Sequence, residues 1–168
     1  MKLRFRSSQP GFHVVLVEPE IPQNTGNIAR LCGATGSTLH LVRPLGFSTD
    51  EKAVRRAGLD YWNLLDVHEH DSFQQCLEHI GSDRPILLST RGEKSFLQAP
   101  FEPGSVLVFG AETRGLPDSI IEAHREDCYG IPTRLDSVRS LNLSNAVSVV
   151  VYQGLAATGA FDQLTMAP

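Results

Sequence analysis

Short apolar runs alternate with longer amphipathic ones along this chain. His13–Val17 is β-branched and apolar until Pro19 and Pro22 break it, so a strand is predicted there. Residues 25–34 carry a helical pattern that Gly36 stops, with Asn24 or Thr25 as a sound N-cap. Residues 39–42 read as a second short strand, closed by Pro44 and Gly46, and residues 50–57 and 72–80 as small helices. Residues 86–89 and Val106–Phe109 are strands of nearly unbroken apolar character, as expected where helices cover both sheet faces. Residues 128–131 make a last short strand and residues 142–157 the longest helix. Strand and helix in turn predict an α/β fold with a mainly parallel sheet and helices on both faces. No repeat, low-complexity tract or linker divides the chain, so one domain is expected.

Composition narrows this picture. Of 168 residues, 41% are apolar and 20% charged, which is ordinary globular usage and excludes a disordered or fibrous chain. Fifteen cationic against 19 anionic side chains leave a net charge of −4, so no global basic field announces a nucleic-acid partner. Local clusters would have to hold one: Lys2, Arg4 and Arg6, or Lys52, Arg55 and Arg56, which read equally as solvated charge. Cys32, Cys76 and Cys128 form no C-x-x-C pair and read as buried thiols in a reducing cytosol. No apolar run approaches the roughly 18 residues of a membrane span, and residues 1–11 lack a signal peptide's apolar stretch and cleavage site. A soluble, cytoplasmic protein with no membrane partner is expected.

Several reaction classes drop out. The chain has no G-x-S-x-G, no H-E-x-x-H, no Walker loop and no G-x-G-x-x-G. His68-Glu69-His70 reads as a solvated turn, so no metal is expected. Three segments remain unusual. In the first, Glu18-Pro19-Glu20-Ile21-Pro22-Gln23-Asn24-Thr25-Gly26-Asn27-Ile28-Ala29-Arg30, Arg30 shares a helical face with Gly26 and Asn27 near a strand's carboxyl end. Ligands of open α/β sheets bind at that edge, and an arginine there suits a phosphate. A plain capped helix explains the segment equally well. In the second, Phe109-Gly110-Ala111-Glu112-Thr113-Arg114-Gly115-Leu116-Pro117, a buried strand enters a glycine-bounded loop with a carboxylate and a guanidinium, either functional or solvated. The third, Arg139-Ser140-Leu141-Asn142-Leu143-Ser144-Asn145-Ala146-Val147, precedes a helix whose valines 147, 149, 150 and 151 spread beyond one stripe. Either it is an N-capped core helix, or part of its apolar surface faces a second subunit.

In this order the three segments resemble the motifs of the SpoU branch of the SPOUT (α/β-knot) RNA methyltransferases. The similarity is closer still to the tRNA wobble-position (cytidine/uridine) 2′-O-methyltransferases. Leu31-Cys32, Leu39-His40-Leu41, Pro44-Leu45-Gly46-Phe47 and Arg56-Ala57-Gly58-Leu59-Asp60-Tyr61-Trp62 strengthen it, and it covers nearly the whole chain. Residues 1–12 then stand as an N-terminal extension of a single domain, 13–168. Ala111 and Gly154 depart from the residues usual there. The resemblance implies a C-terminal trefoil knot whose loops bind S-adenosylmethionine, at positions matching Leu88, Thr90, Gly110, Ile131, Ser140 and Leu141. It implies a homodimer that holds the anticodon stem-loop of tRNA and methylates the wobble ribose. Arg30 is the family's catalytic candidate, with Asn24 orienting it or the ribose, and Glu112 and Asn142 ordering the site. A guanidinium is protonated at working pH, so orienting a phosphate and stabilising an oxyanion is easier for Arg30 than acting as base. The dimer would bring Arg30 of one subunit near the cofactor of the other. Two alternatives stay open: a SPOUT enzyme for another RNA nucleotide, and a non-catalytic RNA-binding protein that keeps the knot.

Overall fold

The computed structural model describes residues 1–50, 52 and 62–168. In chain order its elements are β1 (Lys2–Phe5), β2 (His13–Val17), α1 (Pro22–Thr35), β3 (Thr38–Val42), β4 (Val67–His70), α2 (Phe73–Ile80), β5 (Ile86–Leu88), β6 (Lys94–Ser95), β7 (Val106–Phe109), α3 (Asp118–Ala123), β8 (Cys128–Gly130), α4 (Leu143–Ala157) and β9 (Leu164–Ala167). Seven strands make one sheet in the order β4-β3-β2-β7-β5-β8-β6, and every pairing in it is parallel. The expected 50–57 helix, Arg55, Arg56 and most of the 56–62 segment lie outside the described residues.

The strand order dictates where a ligand site can form. From β2 the chain runs outward to β3 and β4, then crosses to the other half of the sheet, and β7 returns to lie beside β2. Their register pairs Leu16 with Phe109, so the loops that leave β2 and β7 start side by side. This is a topological switch point, where loops diverge to opposite faces and open a crevice.

Period-two alternation divides the strand residues between two cores. Val14 and Leu16 of β2 join Phe12, Ile28, Leu41, Leu107 and Phe109 under α1 and α4. Val15 and Val17 join Val42, Cys76, Leu77, Val108 and Ile121 under α2 and α3. Gly36 and Gly81 end α1 and α2 at φ 69° and 76°, the left-handed cap that glycine adopts without steric cost. Ser72 caps α2 by accepting from Gln75 N–H. Residues 1–12 are not a loose tail. β1 pairs antiparallel with β9, Phe5 meets Phe161 edge-on at 5.2 Å, and Phe12 is fully buried.

Three sequence expectations need correction. The first helix begins at Pro22, with Ile21 as an N-cap that makes no side-chain bond. Asn24 and Thr25 are therefore buried residues inside α1 rather than its cap; proline's fixed φ and missing N–H make it a favourable first helical residue. His68-Glu69-His70 is not a solvated turn but strand β4, and His70 is buried. His13 Nδ1 lies 3.0 Å from His40 Nε2, and His40 Nδ1 lies 3.0 Å from His70 Nε2. Burial, reinforced by the neighbouring imidazoles, pushes His40 down to about 3, and burial also lowers His13 and His70. Finally, Val147, Val150 and Val151 of α4 are wholly covered by this chain itself. Only Val149 and Tyr152 remain exposed among the helix's large apolar residues, at 42% and 48%. All three cysteines are buried thiols, as expected, and burial pushes Cys32 and Cys76 up to about 12.

Packing accounts for the glycine inside α4. A Cβ at Gly154 would lie 2.8 Å from Phe12 Cε2 and 2.9 Å from Phe101 Cδ1, so only glycine lets the helix approach these rings. Gly154→Ala gains about 1 kcal/mol of helix propensity but overpacks a core site, which costs about 1–3 kcal/mol. We expect net destabilisation of about 1 kcal/mol, read as a lower urea midpoint at unchanged m-value. A midpoint at or above that of the parent would show that the rings yield freely.

Candidate active site

A cavity of about 620 Å³ opens at the carboxyl ends of β5, β7 and β8. Its walls come from three loops far apart in sequence. Leu88 and Thr90 follow β5, Gly110 and Glu112 follow β7, and Ile131 with Ser140 and Leu141 follow β8. All six residues expected to hold a cofactor therefore line one space. The size suits a small organic ligand, and the mixed lining offers apolar side chains beside backbone polar groups.

Gly110 shapes this cavity indirectly. A Cβ there would lie 2.1 Å from the Gly115 carbonyl carbon and 2.2 Å from Leu116 N. A side chain at 110 would thus collide with the returning loop before reaching a ligand. That loop closes on itself through Ala111 and Gly115, which exchange backbone hydrogen bonds of 2.9 and 3.2 Å. Gly92 and Gly130 bring two further segments into similarly close contact, a Cβ at Gly92 falling 2.2 Å from the Tyr129 carbonyl carbon.

Beside the cavity a hydrogen-bond chain ties the three unusual segments together. The Glu112 carboxylate accepts from Glu20 N–H (2.7 Å), Ile21 N–H (3.0 Å) and Asn24 Nδ2 (3.2 Å). Asn24 Oδ1 accepts in turn from Asn142 Nδ2 (3.1 Å). Asn142 Oδ1 caps α4, accepting from Ser144 N–H (3.0 Å) and Ser144 Oγ (2.7 Å). A second tier runs alongside. Thr113 Oγ1 donates to Glu20, and the Arg114 guanidinium pairs with Glu18 at 3.0 Å and Glu20 at 3.5 Å. Arg114 is largely exposed, so these pairs add orientation rather than much stability.

Three of the four expected catalytic residues, Asn24, Glu112 and Asn142, thus meet in one network. Arg30 stands farther along the helix. It lies on the exposed face of α1, six residues or about 9 Å of helix beyond Asn24, and does not line the cavity. Sequence reasoning missed Glu18, Glu20 and Ser144 as parts of the assembly. The acidic pair flanking Pro19 was the available signal, because two carboxylates beside a stiffened turn invite a cation such as Arg114.

A wholly parallel sheet with a ligand-sized cavity at the carboxyl ends of its strands, flanked by an Asn–Glu network, is an α/β fold of the kind that binds ligands at that edge. The sequence model of the SpoU rRNA Methylase family matches residues 11–152, and the chain belongs to that family. The tRNA (cytidine(34)-2'-O)-methyltransferase of Escherichia coli (strain K12) is 49% identical over 142 residues, covering 84% of this chain and 90% of that protein. The protein of the same name from Yersinia pestis is 48% identical over 147 residues, covering 84% and 90%. A solved structure described as giving structural insights into the 2-OH methylation of C/U34 on tRNA superposes with a TM-score of 0.77 at 45% identity, covering 86% of this chain and 94% of that one.

The network makes a stability prediction. Glu112→Ala removes the acceptor for two backbone N–H groups and one side-chain amide, and hydrogen bonds to charged groups are worth about 1.5–3 kcal/mol each. The site is partly exposed, so water recovers some of this. We expect a loss of about 2 kcal/mol, and roughly half that for Glu112→Gln, which keeps one acceptor in place. Equal, near-zero losses in chemical unfolding would mean that the carboxylate does not hold the loops.

Proposed function

We infer that this protein methylates the ribose 2′-oxygen of the wobble nucleotide, cytidine or uridine, in the tRNA anticodon loop, with S-adenosylmethionine as methyl donor. The observation that carries this reading is the convergence of Leu88, Thr90, Gly110, Ile131, Ser140 and Leu141, from three distant loops, on one cavity. Its volume and mixed lining, with apolar Leu88, Ile131 and Leu141 beside polar Thr90, Arg139 and Ser140, fit a bent nucleoside cofactor. When bound there, that cofactor supplies an activated methyl carbon. The trefoil knot implied by the family would gather these same loops.

The residues of the chain then divide the remaining work. The cavity loops orient the donor, and holding two reactants in line can supply roughly 7–11 kcal/mol of barrier reduction. Glu112, Asn24 and Asn142 fix the start of α1 and of α4 relative to that cavity. Arg30, protonated at working pH, orients a tRNA phosphate and stabilises negative charge developing on the ribose oxygen. The protein acts in the cytoplasm as a homodimer. The exposed stripe of α4, Asn145, Val149, Tyr152 and Ala156 at helical spacings of four, three and four, supports that interface. α1 packs directly against α4, so a partner on this stripe would lie close to the face that carries Arg30.

Mass spectrometry of nucleosides from tRNA incubated with enzyme and labelled methyl donor is the primary test. Label on the wobble ribose supports the reading. Label on another nucleotide, or donor binding without transfer, replaces it with one of the two alternatives. We expect Arg30→Ala to lower turnover about 10²–10³-fold, the range for losing one oxyanion-stabilising donor, with donor affinity changed only a few-fold. Near-parental turnover would remove Arg30 from the chemistry. Sedimentation equilibrium should give about twice the 18.4 kDa chain mass, and Val149→Asp with Tyr152→Asp should return the monomer and abolish transfer. A fully active monomer would refute the dimer.

A further inference from the structure

Five of the six histidines, His13, His40, His68, His70 and His79, gather far from the cavity, at the β3–β4 edge of the sheet under α2. The parallel register sets His40 beside His68 and Val42 beside His70, which puts all three imidazoles on one face. α2 lies over that face and brings Cys76 and His79, three apart, to one side of the helix. Three potential ligands converge: His40 (1% exposed), His70 (8%) and Cys76 (0%), each offering a donor atom within 4.8 Å of the other two.

Neutral imidazoles alone can satisfy the relay His13–His40–His70, since each ring carries one donor and one acceptor. That account leaves the convergence of the thiol unused. The geometry suits a tetrahedral ion better than chance packing would. With zinc about 2.05 Å from nitrogen and about 2.3 Å from sulfur, ligand nitrogens stand about 3.3 Å apart and nitrogen stands about 3.6 Å from sulfur. His40 Nδ1 and His70 Nε2 lie 3.0 Å apart and need to open by only about 0.3 Å, while Cys76 Sγ, within 4.8 Å of both, must close to about 3.6 Å. The outer contacts also match. A ligating histidine normally has its other ring nitrogen held by a hydrogen bond, and His40 Nε2 has His13 Nδ1 at 3.0 Å. The exposed His79 ring lies 5.1 Å from that of His70. Two imidazoles and a thiolate with no carboxylate select a borderline-soft ion over magnesium or calcium.

We propose that His40 Nδ1, His70 Nε2 and Cys76 Sγ form a zinc site that pins α2 to the edge of the sheet. The ion replaces the single hydrogen shared between the two rings. His40 keeps its own hydrogen on Nε2, donated to His13, while His70 carries its hydrogen on Nδ1. The Cys76 thiol proton goes to solvent as the thiolate binds. None of the three ligands lines the cavity, so the role is structural and independent of the methyl-transfer reading.

Cobalt(II) reports thiolate ligation by its sulfur-to-metal charge-transfer band, without any activity assay. The full-length protein, stripped with chelator and titrated with cobalt, should take up one ion per chain with that band, and zinc should erase it. Zinc at a hundredfold excess over its Kd should raise Tm by about 5–10 °C. Cys76→Ser should abolish both the band and the Tm shift while its far-UV circular dichroism stays that of the parent. Should that variant fail to fold, His70→Gln, at the strand edge, should weaken cobalt binding at least about tenfold. Absence of a thiolate band, or a band or zinc shift unchanged in these variants, overturns the proposal. Uptake with a nitrogen-only spectrum, from His13, His68 or His79 at the surface, overturns it as well.

Discussion

Glu112 sits just past the carboxyl end of β7, yet all three of its hydrogen bonds run to a segment some ninety residues earlier in the chain. Two go to backbone N–H groups of the stiff Pro19–Pro22 connection, and the third to Asn24 inside α1. These bonds are charge-assisted, so they are stronger than neutral ones. The position matters as much as the strength. An acceptor at this point fixes where α1 begins, and the rotation of α1 then decides where Asn24 and Arg30 face. Asn24 passes the constraint on to Asn142, which caps α4. One carboxylate thus couples the start of two helices to the loop that walls the cavity. Loops with such crossed satisfaction are held in place before any ligand arrives, which is the condition for catalysis by positioning.

Much of this was legible in the sequence because it depends on local rules. Nearly unbroken apolar runs marked β5 and β7 as doubly covered strands, and the helix stop at Gly36 followed from glycine's access to positive φ. The motif order carried the family and the cavity-lining residues. What escaped were features made by pairing across distance. No local pattern reveals that residues 2–5 would find 164–167, since a stretch as short as Lys-Leu-Arg-Phe names no partner strand. The start of α1 was placed too late because asparagine and threonine are the usual caps. Here a glutamate from another strand stands near the helix start, and a cap supplied from outside the segment leaves no local signature.

The histidine cluster was misread for the same reason. A three-residue H-E-H stretch is indistinguishable from a turn until β3 is laid beside it. The register then turns three scattered imidazoles into neighbours, and α2 closes over them. Both faces of the sheet are thus buried by different means. The α1–α4 side is aliphatic and aromatic with buried polar residues near the helix ends, Asn24, Thr25, Thr35 and Ser144, while the α2 side carries a polar seam at its outer strands. A polar seam under a helix costs desolvation unless each donor and acceptor is paired. The His13–His40–His70 relay meets that requirement toward the β3–β4 edge of the sheet, away from the ends of β5, β7 and β8 where the cavity opens.

The distribution of α4's valines decides what the helix leaves available. Had Val147, Val150 and Val151 been uncovered, the chain would have needed a partner to fold. Its own sheet and α1 cover them completely, and Gly154 lets Phe12 and Phe101 close the gap. The stripe left outside is narrow: Val149 and Tyr152 between the smaller Asn145 and Ala156. A stripe of that size is too small to drive folding by itself, yet it continues the α1–α4 packing outward without a break. Arg30 stands exposed on α1, separated from the Asn24–Glu112–Asn142 network by nearly two helical turns. For that guanidinium to serve chemistry at a cavity walled by β5, β7 and β8, the distance must be closed by RNA lying across it or by a second chain docking on the adjoining face. Rigid coupling of α1 to the cavity loops through Glu112 is what makes either route precise, because any group that engages Arg30 is thereby registered to the same loops that wall the cavity.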